Sequence, residues 1–263
     1  MLPDKSLIVI RISLPLALLF VLSSGVPAFC AFENLQPPLK KTWLQLYDDL
    51  SSGHFSALIS YENQYNLPEL SITRLVIAGK FKPVYLKAAC SFSGDEKYSE
   101  TLLGLSAGRR LGRVMPIIRW NYYLLDIRSY GSKYISGISA GLKVKLPCMI
   151  LIDARLENIY TGRYRKGYND IPCIYAQKLQ FPIDERLSIL LFLEKTADSP
   201  FDYGIGFSYN LNRNIQLRIS AGDRPSFIGF SVLFNTRSLT SGISTARINP
   251  LGWSNCVFSG FSW

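Results

Sequence analysis

His54 is the only histidine among 263 residues, and most schemes of nucleophilic or general-base catalysis need an imidazole to carry the proton. It follows Ser51-Ser52-Gly53 at the edge of an extended run, where a turn or interfacial role is expected. No Ser/His pairing of the kind that a lipid-cleaving enzyme needs can be read. The adjacent carboxylates Asp48-Asp49 and Asp184-Glu185 do not face one another on a helix or turn; they read as a helix end and a turn. Asp95-Glu96 sits in a short loop, with charge enough to touch a divalent cation or simply to be solvated. No calcium loop and no HExxH motif appears. Of the five cysteines, Cys90, Cys148, Cys173 and Cys256 are far apart, show no CxxC spacing and lie in strand-like runs, where Cys packs as a small hydrophobe. The expectation is a protein that is not an enzyme and holds no cofactor or metal.

Recognition chemistry is concentrated elsewhere. Tyr160, Arg163, Tyr164, Arg165, Lys166 and Tyr168 crowd the stretch 158–170. Mixed Arg and Tyr combine contact area with directed hydrogen bonds, so this loop is expected to contact lipopolysaccharide or a protein partner.

The elements that must position these residues are strands. Phe201, Tyr203, Ile205, Phe207 and Tyr209 alternate with Asp202, Gly204, Gly206, Ser208 and Asn210; Ile215, Leu217 and Ile219 alternate with Gln216, Arg218 and Ser220. After Gly222-Asp223-Arg224-Pro225, alternation resumes at Ile228, Phe230, Val232 and Phe234. This period of two gives each strand one apolar and one small or polar face, the pattern of strands in a membrane barrel. About 14 such runs follow His54, most near the roughly 9–11 residues that a tilted strand needs to cross a bilayer. The connections after the even-numbered runs are brief, as at Lys82-Pro83 and Asn235-Thr236. Those after odd-numbered runs include the longest, Glu62–Ser71, Ile127–Lys133, Asn158–Asp170 and Ile248–Gly252. Short turns on one side and longer loops on the other are how outer-membrane barrels are built, and closure alone removes the unpaired edges that hydrocarbon cannot satisfy. The fold expected is all-β: an antiparallel transmembrane barrel over 54–263. Glycines inside the strands, such as Gly104, Gly204, Gly206 and Gly229, suit curvature or a crowded interior.

The first 28 residues read as a secretory signal, with Lys5 and Arg11 ahead of an apolar stretch from Ile12 to Leu22 and small residues up to Ala28. Residues 29–53 then form a periplasmic or plug segment, with Trp43, Leu44, Leu46, Tyr47 and Leu50 at helical spacing. Loss of 1–28 leaves the chain one unit less basic than its full +10. The basic residues are spread over many strands and turns without a nucleic-acid signature, so an anionic membrane surface is the better partner and nucleic acid is not expected. Val257, Phe261 and Trp263 end the last strand on an aromatic. A strand ending this way resembles the recognition signal of the bacterial outer-membrane assembly machinery.

Two stretches carry a closer resemblance. Tyr61-Glu62-Asn63-Gln64-Tyr65-Asn66-Leu67-Pro68-Glu69-Leu70 resembles the Tyr-x-Asn-x-aromatic-x-Leu-x-Glu-Leu segment near the start of PorV/PorQ-like barrels of diderm bacteria, relatives of the FadL-type transporters. Tyr61, Asn63, Tyr65, Leu67, Glu69 and Leu70 carry the match. Pro250-Leu251-Gly252 resembles their His-Pro-x-Leu-Gly stretch before the last strand, with Asn249 where His is usual and one residue fewer between Pro and Leu. The resemblance implies a 14-stranded outer-membrane barrel with an N-terminal segment filling the lumen. It implies two roles: an accessory of protein secretion or outer-membrane assembly that binds a secretion-system protein, or FadL-like transport or binding of a hydrophobic small molecule. A polar, sealed lumen suits the first and an apolar lumen the second. Asn63 and Glu69 are expected to tie the first loop over the barrel mouth.

Overall fold

The computed structural model describes residues 55–81, 83–147, 149–161, 171–196, 199–223 and 226–263. Fourteen strands account for nearly all of them: β1 (Phe55–Asn63), β2 (Ile72–Phe81), β3 (Val84–Gly94), β4 (Tyr98–Arg109), β5 (Val114–Ile127), β6 (Gly131–Lys145), β7 (Leu151–Thr161), β8 (Ile174–Pro182), β9 (Leu187–Thr196), β10 (Asp202–Asn210), β11 (Ile215–Gly222), β12 (Phe227–Asn235), β13 (Leu239–Ile248) and β14 (Gly252–Ser262). Each pairs antiparallel with its neighbours in sequence, and β1 closes on β14 to complete a barrel. The seam is sealed at its end by reciprocal bonds, Phe55 N–H to the Trp263 carbonyl at 2.9 Å and Trp263 N–H to the Phe55 carbonyl at 3.0 Å. The 14 strands expected from alternation are therefore present and closed. The leader, the plug segment and His54 lie outside the described residues.

Period-two alternation sorts the side chains. On β10, Tyr203, Ile205, Phe207 and Tyr209 point outward and are exposed, while Gly204, Gly206 and Ser208 point inward. On β1 the inward set is Ser56, Leu58, Ser60 and Glu62, all buried, and the outward set includes Ile59 and Tyr61. A soluble protein would reverse this order; apolar side chains outside and polar ones inside are what a lipid exterior selects. Trp120, Tyr122 and Tyr134 line the outside of β5 and β6, with successive ring centroids 6.1 Å apart.

Strand glycines answer to the crowded interior. A Cβ at Gly206 would lie 3.4 Å from the ring of Phe192 on β9, and at Gly104 it would stand 2.8 Å from the guanidinium of Arg119 on β5. At Gly242 it would meet both the Val232 carbonyl oxygen and the Phe258 ring, at 2.5 Å from the latter. Large inward side chains thus lie over the glycines of adjacent strands.

The asymmetry of connections is weaker than the sequence suggests. Residues 64–71 and 162–173 are the long ones, but β5 and β6 stay paired to Ile127↔Gly131 and β13 and β14 to Ile248↔Gly252. Gly131 and Gly252 turn the chain there with φ of +81° and +115°, a conformation that costs glycine little. Two of the four expected long loops are tight turns for that reason. β8 also starts later than expected, at Ile174, because Ile171–Cys173 leaves the wall.

Candidate functional site: a charged lumen and its narrowed mouth

No constellation of acid, base and nucleophile appears among the described residues, and no cluster of His, Cys, Asp and Glu there could hold a metal. The chemistry is in the lumen. Arg119 on β5, Lys143 on β6, Arg155 on β7 and Lys178 on β8 all project inward, with Asp153 and Glu157 of β7 among them. Asp153 accepts two bonds from Arg155, Nε at 2.9 Å and Nη2 at 2.7 Å, and lies 3.5 Å from Lys143 Nζ. It is also the direct cross-strand neighbour of both Lys143 and Lys178. Glu157 stands 3.8 Å from Arg119. Cations outnumber carboxylates on this quarter of the wall, and Lys178 is only 6% exposed.

The wall of β9–β14 is built differently. Leu190, Phe192, Phe227, Leu233 and Phe258 are buried there among small inward residues such as Ser220, Ser231 and Ser244. Its inward charges are Arg218, whose Nε and Nη2 donate to Gln216 at 3.0 and 2.7 Å, and the cross-strand carboxylates Glu194 and Asp202 at the loop end. The lumen is thus basic along β5–β8 and small, apolar and hydroxylated along β9–β14, with Glu62, Arg74 and Glu100 buried on β1–β4 between them.

One mouth is narrowed by two segments. Ile171, from the β7–β8 connection, is buried against Ile72, Leu102 and Tyr123, with Leu125 and Ile135 packed around them. Beneath this collar runs a polar chain: the Tyr123 hydroxyl donates to Asn158 Oδ1 at 2.8 Å, Asn158 Nδ2 donates to the Pro172 carbonyl at 3.2 Å, and Asn121 Nδ2 donates to Ser139 Oγ at 3.1 Å. Asn158 reaches this position through a bulge. Its φ is +56° and the β6–β7 register shifts between Ile138 and Ala140, which turns its side chain inward.

Beside this collar, Glu62 and Arg74 form an ion pair at 2.9 Å with side chains 0% and 3% exposed. Gln64 Nε2 donates to the same carboxylate at 3.3 Å. The first loop is held by Tyr65 N–H on Ser254 Oγ at 3.2 Å and by Asn255 Nδ2 on Asn66 Oδ1 at 3.0 Å. Burial, and then the Glu62 carboxylate, raise the Tyr65 hydroxyl above its ordinary pKa.

The residues singled out in the sequence are therefore dispersed. Tyr61 faces outward, Leu67 is exposed, and Glu69 and Leu70 end a single turn of 3₁₀ helix at Pro68–Leu70. Asn63 and Glu69 do not tie the first loop down; Gln64, Tyr65 and Asn66 do, because Tyr65 and Asn66 take left-handed φ of 56° and 58° and bend the chain back over the wall. Leu251 is exposed in the turn between Asn249-Pro250 and Gly252. Val257 and Phe261 face outward on β14, and the Trp263 ring packs 4.9 Å from that of Phe55. Tyr160 is exposed near the end of β7; Arg163, Tyr164, Arg165, Lys166 and Tyr168 lie outside the described residues. Asp95 and Asp184 are turn residues: Asp95 Oδ1 accepts from Lys97 and Tyr98 N–H at 2.8 and 2.9 Å, and Asp184 Oδ1 from Arg186 and Leu187 N–H at 2.6 and 2.7 Å. These backbone bonds hold both carboxyls below the usual range. No disulfide joins Cys90, Cys173 and Cys256.

This architecture is shared with solved outer-membrane proteins. Omp33 of Acinetobacter baumannii superposes with a TM-score of 0.55 over 80% of this chain and 98% of its own, at 13% identity. The CymD monoaromatic hydrocarbon channel gives 0.53 over 90% and 94%, at 9% identity. A deltaS2 mutant of the TodX monoaromatic hydrocarbon channel gives 0.53 over 79% and 88%, also at 9%. The likeness is one of fold: the structural neighbours are outer-membrane β-barrels, and it does not reach the narrower PorV/PorQ or FadL families. No protein-family model matches the chain, and no curated protein sequence does.

Proposed function

We propose that the protein is a non-enzymatic outer-membrane channel for small water-soluble molecules. The observation that carries this reading is the pairing of an apolar, aromatic exterior with a polar and charged lumen inside one closed barrel. Lipid outside and water-soluble cargo inside are the environments that such a division matches. Two of the fold neighbours are themselves hydrocarbon channels. Here, however, Arg119, Lys143, Arg155 and Lys178 line the wall, and an apolar cargo would have to strip water from them. The leader of residues 1–28, the outward Val257 and Phe261 with Trp263 as an assembly signal, and the 158–170 loop as a contact for lipopolysaccharide belong to the same proposal.

The near-complete burial of Lys178, Arg218 and Arg74 favours one alternative, a filled barrel serving as an accessory of protein secretion. A single pair of experiments separates the two. Boiled and unboiled samples of the outer-membrane fraction should migrate differently on gels, and the purified barrel should conduct ions in a planar bilayer. Conductance is the result that the channel reading requires. A heat-modifiable barrel that never conducts supports the accessory, and release into the soluble periplasm without a shift on boiling removes both.

A further inference from the structure

We infer that the lumen selects anions, and that the selecting element is the stripe of Arg119, Lys143, Arg155 and Lys178 across β5–β8. This inference rests on the channel reading and names the solute class for it: small inorganic or organic anions. The four cations stand on consecutive strands and are knitted into one lateral group by Asp153 and Glu157. Two carboxylates hold the cations in place without cancelling them. Farther round the wall the mid-barrel charge of β11 is again a cation, Arg218. The other inward carboxylates, Glu62, Glu100, Glu194 and Asp202, stand apart from the stripe, at the loop end of β1, β4, β9 and β10. A scaffold that needed only a filled interior would gain nothing from an excess of one sign, because like charges in a confined, low-dielectric space repel. A conduit gains counter-ion enrichment, since walls of one sign focus the field along the passage.

Geometry also fixes how the preference should respond to salt. The screening length is about 10 Å at 0.1 M and about 3 Å at 1 M ionic strength. The stripe acts across the lumen in the first condition and only on ions beside it in the second. Anion preference should therefore be strong in dilute salt and fade as salt is raised.

The test is the reversal potential of the full-length protein in a planar bilayer of neutral lipid, bathed by unequal KCl concentrations. Chloride permeability is expected to exceed that of potassium several-fold in 0.1 M salt and to approach it in 1 M. In Lys143→Gln with Lys178→Gln, checked for heat-modifiable migration, the dilute-salt preference should fall toward unity. The wild-type salt series needs no substitution, so a variant that fails to fold leaves the inference open to refutation. Conductance with no anion preference, or one that salt leaves unchanged, overturns the inference while the channel reading stands. Absence of any conductance overturns both.

Discussion

The Glu62 carboxylate lies 2.9 Å from the Arg74 guanidinium, with neither side chain open to solvent, and this pair ties the first strand to the second directly beneath the barrel mouth. Glu62 also accepts from Gln64, so one carboxylate organises the start of the first loop as well as the wall. Desolvating two charges is repaid only when the geometry is good, and removing one partner of a buried pair typically costs about 3–5 kcal/mol. Arg74→Met is therefore expected to lower barrel stability by about that amount, read as a shift of the urea midpoint of the detergent-folded protein. Adding Glu62→Leu should recover much of the loss. A double variant as unstable as the single one would mean that the pair contributes by some route other than mutual charge compensation.

The face assignment can be checked by placing one charge on each side of a strand. Phe207 points to the lipid and Ser208 to the lumen on β10. Arg on the lipid face of such a barrel costs about 2–4 kcal/mol near the midplane. Phe207→Arg should destabilise the protein in bilayers by about that much, and Phe207→Leu far less. Equal tolerance of Arg and Leu at this position would show that β10 does not face hydrocarbon.

Gly242 and Gly104 separate two kinds of crowding. A Cβ at Gly242 meets a backbone oxygen and the Phe258 ring, whereas at Gly104 it meets only the far end of Arg119. Overpacking that cannot relax costs about 1–3 kcal/mol. Gly242→Ala is expected to show a cost of that size in thermal or urea unfolding, and Gly104→Ala a much smaller one because the guanidinium can swing aside.

In the mouth, the Tyr123 hydroxyl holds Asn158 Oδ1. Tyr123→Phe leaves that oxygen without the hydroxyl, at a cost of about 1–3 kcal/mol for a buried acceptor. The same substitution made on top of Asn158→Ala should cost much less, which a double-mutant cycle measures. Equal costs in the two backgrounds would place the effect outside this bond.

Two turns make acid a distinct stress. Asp95 and Asp184 each accept two backbone N–H bonds, which lower their pKa values. A carboxyl lowered on folding stabilises the fold fully above its unfolded pKa of about 3.9 and loses that contribution as pH falls through the folded value. Asn212 caps its own turn in the same way, through Asn214 and Ile215 N–H at 2.8 Å each, without a titrating group. Asp184→Asn should keep the turn while removing its share of the acid sensitivity, followed as unfolding midpoint against pH between pH 7 and pH 2. A profile identical to wild type would assign the acid response elsewhere.

The wall was legible because period two survives almost everywhere: Tyr203 to Tyr209 and Ile228 to Phe234 announce both the strand and its lipid face. Lumen chemistry was partly legible by the same device, since Asp153 and Arg155 fall on the opposite phase from Ile152, Ala154 and Leu156. Lys178 hid because Gln177 beside it faces outward, where its Oε1 accepts from the Tyr175 hydroxyl at 2.6 Å, so the polar phase of β8 is blurred. The collar could not be read. Ile171 reaches Ile72 and Leu102 through the curvature of the wall, a contact between residues about seventy to a hundred positions apart in the chain. The bulge at Asn158 is equally silent, since a left-handed Asn looks the same in sequence as an exposed one. Asn63 and Glu69 drew attention through a resemblance, whereas the loop is anchored by backbone conformation at Tyr65 and Asn66.

Every strand of the wall but the closing pair bonds to its sequence neighbours. Thirteen of the fourteen seams can therefore form hairpin by hairpin, at a loop-closure cost that rises only slowly with the length of the connection. Only the β1–β14 seam must bring together residues as distant as Ser56 and Ser262. Until that meeting occurs, the growing sheet carries two unpaired edges, with the outward aromatic face already formed between them. Such an intermediate is prone to pair with any exposed strand it encounters. The order of assembly thus exposes the protein to its greatest aggregation risk at the last step, when all but one of its hydrogen-bonded seams are in place.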